Sequence, residues 1–206
     1  MRLTRKESST KLPIQRKGTK YIARALSDVS NSVPVVIAIR DMLKLAKTAK
    51  EVKKMIQEKL LKINGRVVTD YRESISLFNI FDADKAYELS LIPTKKFSFN
   101  PVKTKNQRLC KVVNKHIVKN GLIQLNFHDG SNILSKDNIK VGDSIYLDLD
   151  SKIKKHVSLE AGKDCFVISG KYLGENAKII SVKDKLVNIK LKEGEAEIPS
   201  NSVVVL

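Results

Sequence analysis

The sequence predicts an α+β, multidomain chain in which a small helix–hairpin domain follows a basic arm and precedes two β-rich regions. Three observations support this. Helical spacing of apolar residues is confined to positions between Val33 and Ile56, and a two-residue hairpin turn, Asn64-Gly65, follows. From Leu77 onward the apolar residues come in short runs broken by Gly, Asp and Pro. Aromatic residues make up 5% of the 206 and Trp is absent, which suits several small cores better than one deep one.

Residues 1–32 read as an irregular basic arm. The Ser8-Ser9-Thr10 tract and the run Arg16-Lys17-Gly18-Thr19-Lys20 leave little apolar content, so the arm is expected to order only on a polyanion, with Leu12 and Ile14 as small anchors. Residues 33–93 form the helix–hairpin domain. Ser32 is placed to N-cap a first helix with Pro34 in its first turn and Val33, Val36, Ile37, Arg40 and Leu43 at helical spacing. Thr48 and Glu51 have the capping-box interval of a second helix. Its apolar stripe is Val52, Met55 and Ile56, with Lys50, Lys53 and Lys54 on the other side. Leu61 and Ile63 alternate with Lys62 before a type I′ turn at Asn64-Gly65, and Arg66-Val67-Val68 returns. Leu77-Phe78-Asn79-Ile80 is expected to close the domain as a strand.

Residues 94–158 read as a β-rich central domain, entered by a hairpin of Tyr87 to Leu91 and Phe97 to Phe99 around Pro93-Thr94. Gly121 to Phe127 alternates, Asp129-Gly130 is a turn, and Val141 to Leu149 reads as turn then strand. Residues 159–206 hold five short apolar runs at even spacing, the pattern of a small barrel or sandwich. A loop with Gly170 and Gly174 lies between the first two.

Charge narrows the function. The net charge is +17, and its excess lies wholly in the first 120 residues. Residues 1–24 carry eight Lys/Arg against one acid, residues 33–72 ten against four, and residues 95–119 eight against none; from 120 onward twelve face twelve. A solubilising charge would be mixed more evenly, so a polyanion partner is implied, nucleic acid before membrane. The longest apolar run, Val33 to Ile39, is far short of a bilayer span, and the basic Met1 to Lys6 has no apolar stretch behind it, so a soluble, cytoplasmic chain is expected. Cys110, Cys165, His116, His128 and His156 are too scattered for zinc spacing or a catalytic pair. The adjoining His128-Asp129 is read as structural. No metal, cofactor or small-molecule substrate is expected.

Two stretches resemble known modules. Arg40 to Ala46, Thr48-x-x-Glu51-Val52 and Ile63 to Val68 resemble the S4 RNA-binding domain, although the glycine usual at the end of its second helix is Lys59 here. Ser169 to Ile180 is similar to the KOW motif, a loop on an SH3-like β-barrel, with Ala177 where a later glycine is usual. Their order, together with Leu12-Pro13-Ile14, Gly121 to Asn126, Lys140-Val141-Gly142-Asp143-Ser144 and Val167 to Lys171, resembles the archaeal and eukaryotic S4e family of small-subunit ribosomal proteins, in its short archaeal form. The resemblance implies a non-enzymatic structural constituent of the small subunit, one copy per subunit without homo-oligomers, bound to 16S-type rRNA beside other small-subunit proteins.

The expected rRNA contacts are Arg5, Arg16, Lys17 and Lys20 in the arm, and Arg40, Lys44, Lys47, Lys50, Lys53, Lys54, Lys62 and Arg66 in the S4-like domain. Lys103, Lys105, Arg108 and Lys111 follow in the acid-free segment, and Gly170, Lys171, Tyr172 and Gly174 in the KOW loop. Two alternatives stand beside this reading. An RNA-modifying enzyme would need a methyl-donor glycine loop or a nucleophilic Asp context in residues 94–206, and a KOW-type transcription or elongation factor would co-purify with RNA polymerase.

Overall fold

The computed structural model describes residues 3–102, 107–118, 121–183, 185–192 and 194–206. The chain divides into two compact units, Met1–Lys105 and Asn106–Leu206.

In the first unit the arm is ordered without a partner, against expectation. Strands β1 (Leu3–Thr4) and β2 (Tyr21–Ile22) pair antiparallel. Leu12 is buried, and the Lys11 carbonyl accepts from Phe97 N at 2.9 Å. These contacts to the rest of the unit supply the apolar burial that the arm lacks by itself. Ser32 is not an N-cap. It opens strand β3 (Ser32–Pro34), which pairs with β6 (Ser74–Ser76), and its hydroxyl donates to the carbonyls of Ser27 and Asp28. The first helix is only α1 (Val35–Ile37), continued by a wider π-helical turn over Ala38–Met42. Every residue from Val35 to Ile39 is buried, so this β-branched run has no solvent face and its sequence period carries little information.

Helix α2 (Ala49–Gln57) forms as the capping box requires. It leaves through Lys59, whose φ is +57°, with Lys59 N donating to Ile56 O and Leu60 N to Met55 O. This is a Schellman ending with lysine where glycine is usual. A five-stranded antiparallel sheet follows in the order β5 (Arg66–Val67), β4 (Lys62–Ile63), β7 (Ile80–Asp82), β8 (Ala86–Leu91), β9 (Phe97–Pro101). The strand expected at Leu77–Ile80 is interrupted by Phe78, which turns at φ +62°, so pairing resumes only at Ile80. Because β9 pairs with β8, a boundary after residue 93 would cut a hairpin, and the first unit runs on to Lys105.

The second unit holds two five-stranded antiparallel sheets. The first contains β10 (Arg108–Ile117), β11 (Ile123–Phe127), β12 (Asn132–Ser135), β13 (Ser144–Leu147) and β14 (Ile153–Val157), in the order β12-β11-β10-β13-β14. The second contains β15 (Asp164–Val167), β16 (Asn176–Lys183), β17 (Leu186–Leu191), β18 (Gly194–Pro199) and β19 (Val203–Val205), in the order β18-β17-β16-β15-β19. Each has its own apolar core, one around Leu125, Ile145 and Leu147, the other around Val167, Ile179, Val187 and Ile189.

Buried polar groups fix the junction between the two sheets. Asp143 accepts from Lys140 N, Leu159 N and His156 Nε2, and Ser144 Oγ accepts from Val205 N at 3.0 Å. Gly142 permits the turn at φ +98°, and a side chain there would crowd Leu159 at 3.3 Å. The division expected at 158/159 is therefore crossed by hydrogen bonds within one compact unit.

Candidate nucleic-acid interface

On α2, the 3.6-residue period places Val52 in the core and leaves Lys50, Lys53 and Lys54 exposed together. The cap fixes where that face begins. Glu51 N donates to Thr48 Oγ1 at 3.3 Å, the Thr48 hydroxyl donates to Glu51 Oε1 at 2.9 Å, and Lys47 N donates to Glu51 Oε2 at 2.8 Å. The Lys47 amide first, and the Thr48 hydroxyl second, hold the Glu51 carboxyl below its ordinary range. Lys53 Nζ lies 4.9 Å from the centre of the Tyr71 ring.

The hairpin turn has φ +51° at Asn64 and +82° at Gly65, as a type I′ turn needs. Asn64 Oδ1 also accepts from Ile80 N at 2.9 Å, which ties the turn to β7. It presents Lys62 and Arg66 to solvent. Arg66 reaches the buried Glu73 carboxylate at 2.6 Å. Burial alone would raise Glu73, but the Thr69 amide and hydroxyl, the Asp70 amide and Arg66 outweigh it and hold the group low.

The acids of this region are already engaged. Asp41 takes Arg40 in a bidentate pair, Glu51 caps α2, Glu58 lies 3.8 Å from Lys54, and Asp70 pairs with Arg72. Three of the expected contacts, Arg40, Lys54 and Arg66, therefore already face a carboxylate.

In the arm, Arg16, Lys17 and Lys20 are exposed, whereas Arg5 is turned inward. Its Nε donates to Thr19 O, Nη1 to Gln15 O and Nη2 to Thr19 Oγ1. Arg5 thus shapes the loop that carries Arg16 and Lys17. Beside that loop runs a groove of about 800 Å³, whose far wall includes Arg40, Lys44 and Lys47.

Two expected contacts in the second unit are corrected by burial. Arg108 is 7% exposed and pairs with Asp129, which is 2% exposed and also accepts from Ser131. Lys111 is 3% exposed, and its Nζ donates to Ser200 O at 2.7 Å and Val203 O at 2.6 Å. Neither ammonium nor guanidinium is available to a phosphate. Lys103 and Lys105 lie outside the described residues. His128 Nδ1 accepts from Lys111 N at 3.1 Å, so the His128-Asp129 pair is a framework feature. In the glycine-bearing loop, Gly170 and Lys171 are exposed while Gly174 is buried, and Tyr172 packs on the second core. Gly170 and Gly174 take φ +91° and +87°. Gly174 N donates to Val167 O at 2.9 Å, which closes the loop.

Comparison with known proteins decides the family. The profile of the Ribosomal family S4e matches residues 83–153, and that of the S4 domain matches residues 41–76. A small ribosomal subunit protein eS4 of Methanocella arvoryzae is 30% identical, covering 94% of this chain and 88% of its own. The protein of that name from Methanocaldococcus jannaschii is also 30% identical with the same coverage, and that of Methanococcus maripaludis is 32% identical over 81% and 76%. The chain belongs to the S4e family. The crystal structure of 30S ribosomal protein S4e from Thermoplasma acidophilum shares the fold, with a TM-score of 0.74 at 22% identity, over 86% of this chain and 95% of that one.

In this S4e-family chain the structure adds residues that spacing does not single out. Lys96, in the β8–β9 turn, borders the same small cleft as Arg5 and Arg16, so that turn continues the basic surface of the arm. Gly18 is set by Arg5, since a Cβ there would lie 3.1 Å from Arg5 Nη2. The only sequence signal for either is the density of Lys and Gly in each run. Among the described residues no group of three His, Cys, Asp or Glu is placed to hold a metal ion. Burial first, with Asp129 adding to it, pushes the Cys110 thiol up to about 12, and burial pushes Cys165 up to about 11, so both are unionised near neutral pH.

Proposed function

We propose that this chain is a structural constituent of the small ribosomal subunit that binds 16S-type rRNA, chiefly through its phosphate backbone, beside other small-subunit proteins and as one copy per subunit in the cytoplasm. The observation that carries this is the exposed basic surface of the first unit, on a chain whose relatives are named small ribosomal subunit proteins. Lys50, Lys53 and Lys54 project from one helix face and Lys62 and Arg66 from the adjoining hairpin, a geometry that neutralises phosphates at several points. The role is read as scaffolding, and among the described residues Arg108, Lys111 and Asp143 are engaged in holding the fold.

The second sheet of the second unit is read as the SH3-like KOW barrel. Support comes from the return of β19 beside β15 and from the positive-φ glycine loop that leaves Lys171 exposed. The domain limits of 1–32, 33–93, 94–158 and 159–206 serve as sequence modules laid over the two compact units. Sucrose-gradient sedimentation of a lysate containing the tagged chain tests the assignment. Co-migration with small subunits is expected, and residence only in soluble or polymerase-bound fractions would overturn it.

A further inference from the structure

The groove between the arm and the π-helical turn has a chemistry that its surroundings lack. Its rim carries five cations, Arg5 and Lys17 from the arm and Arg40, Lys44 and Lys47 from the opposite wall. The one carboxylate among its lining residues, Asp41, is already held by Arg40 at 2.7 Å. The lining also holds apolar groups, the exposed Pro13 and half-buried Ile14 and Ile22 from the arm, with the buried Ile37 opposite. Backbone phosphates alone would need no such apolar groups. A groove of about 800 Å³ whose lining mixes apolar side chains with cations matches a nucleotide, with a base against the apolar groups and a phosphate among the cations.

The groove is also preorganised. Arg5 holds the Gln15–Thr19 loop by three hydrogen bonds, and Gly18, at φ +138°, lets the guanidinium lie against the loop backbone. Lys44 sits at φ +58°, the left-handed conformation that side chains with a Cβ rarely adopt, and this aims the chain out of the π-helical turn at the rim.

We infer that this groove is a receptor for a single unpaired nucleotide of the bound RNA, which is drawn out of its helix and seated with its base on Pro13, Ile14 and Ile22 and its phosphate among Lys17, Lys44 and Lys47. The inference rests on the RNA-binding reading above and adds a specific subsite to it. Arg5 and Gly18 are positioning residues for that site.

The test uses the full chain and two short RNA duplexes, identical except that one carries a single bulged nucleotide. The bulged duplex is expected to bind about fivefold more tightly, at the low end of the scale for a base stacked on aromatic rings because the groove offers Pro and Ile instead. Ile14→Ser should bring the ratio of the two affinities close to one. Lys44→Asn, which removes the charge at a residue type suited to positive φ, should weaken the bulged duplex more than the paired one. A measurement on the unaltered chain needs no variant: adenosine monophosphate should displace the bulged duplex at lower concentration than inorganic phosphate does. Equal affinity for the two duplexes, with the nucleotide no better a competitor than phosphate, overturns the nucleotide site and leaves backbone binding standing. Failure to bind either duplex at low salt would instead sink the RNA-binding reading itself.

Discussion

Replacing Arg108 separates an internal ion pair from an RNA contact. Its guanidinium and the Asp129 carboxylate are 7% and 2% exposed, and Asp129 is additionally fixed by Ser131 N at 2.9 Å and the Ser131 hydroxyl at 2.6 Å. Arg108→Met strips the carboxylate of its countercharge while keeping most of the packing volume. Breaking one side of a buried pair costs about 3–5 kcal/mol, because the remaining charge stays desolvated. Asp129→Asn, which preserves an acceptor for Ser131, should cost a similar amount by stranding the guanidinium. The double variant should cost far less than the sum, since no unpaired charge remains, and the coupling should exceed about 2 kcal/mol. Among the described residues Arg108 Nε finds no partner in its buried position, which further limits what the intact pair contributes and favours recovery in the double variant. Urea unfolding followed by circular dichroism is the assay, because the chain lacks Trp. RNA affinity across a salt series, measured on the same proteins where folded, supplies the second axis. The opposite outcome is an Arg108→Met variant as stable as the parent, within about 0.5 kcal/mol, that loses affinity with a salt slope reduced by close to one. That result would return Arg108 to the interface.

Reversing Lys50, Lys53 and Lys54 to Glu should weaken RNA binding and lower the salt slope by roughly two to three, near 0.7–0.9 for each phosphate no longer neutralised. An unchanged slope would mean that these lysines only solvate α2. Lys59→Gly should stabilise the first unit by about 1 kcal/mol in urea titration, because glycine removes the left-handed penalty at φ +57° while both Schellman hydrogen bonds persist; no gain would show the turn to be unstrained. Burial pushes Lys111 down to about 8, against about 10.4 for a free lysine. Between those values the unfolded chain retains a proton that the folded chain has released. Stability is therefore lowered most below pH 8 and recovers as pH climbs through the window. The pH dependence of the urea midpoint should lose this rise in Lys111→Met, and an identical profile would show that the two carbonyls hold the ammonium charged.

Elements governed by local chemistry are legible in the sequence. The Thr48–Glu51 box, the Asn64-Gly65 turn and the β8–β9 hairpin depend on neighbours within a few residues, and each forms where its residue types require. The first helix is shorter than its apolar spacing suggests because Val35 to Ile39 is buried on every side, so hydrophobic period cannot report its length. The arm is more ordered than its composition suggests, for the complementary reason. Its stability comes from distant groups, as in Lys11 O with Phe97 N and Ser9 Oγ with Ser30 O, and local composition counts none of them.

The candidate site divides along the same line. Lysines on a surface helix and in a tight turn have few ways to be buried, so Lys50, Lys53, Lys54 and Lys62 stand outward as their spacing implies. Arg108 and Lys111 alternate along a strand just as plausibly, but the partners that draw them inward lie 21 and about 90 positions away, at Asp129, Ser200 and Val203.

The sequence by itself thus determined the family resemblance and the half of the chain that carries the basic excess, because charge and short-range capping are written in composition and spacing. Only the tertiary structure decided which cations remain available, that the arm is a folded wall instead of a loose tail, and that a groove lined by cations and apolar side chains lies between it and the π-helical turn. Those outcomes depend on which groups share a desolvated interior. A buried charge must find its countercharge or carbonyls wherever the fold brings them, and that pairing has no local signature.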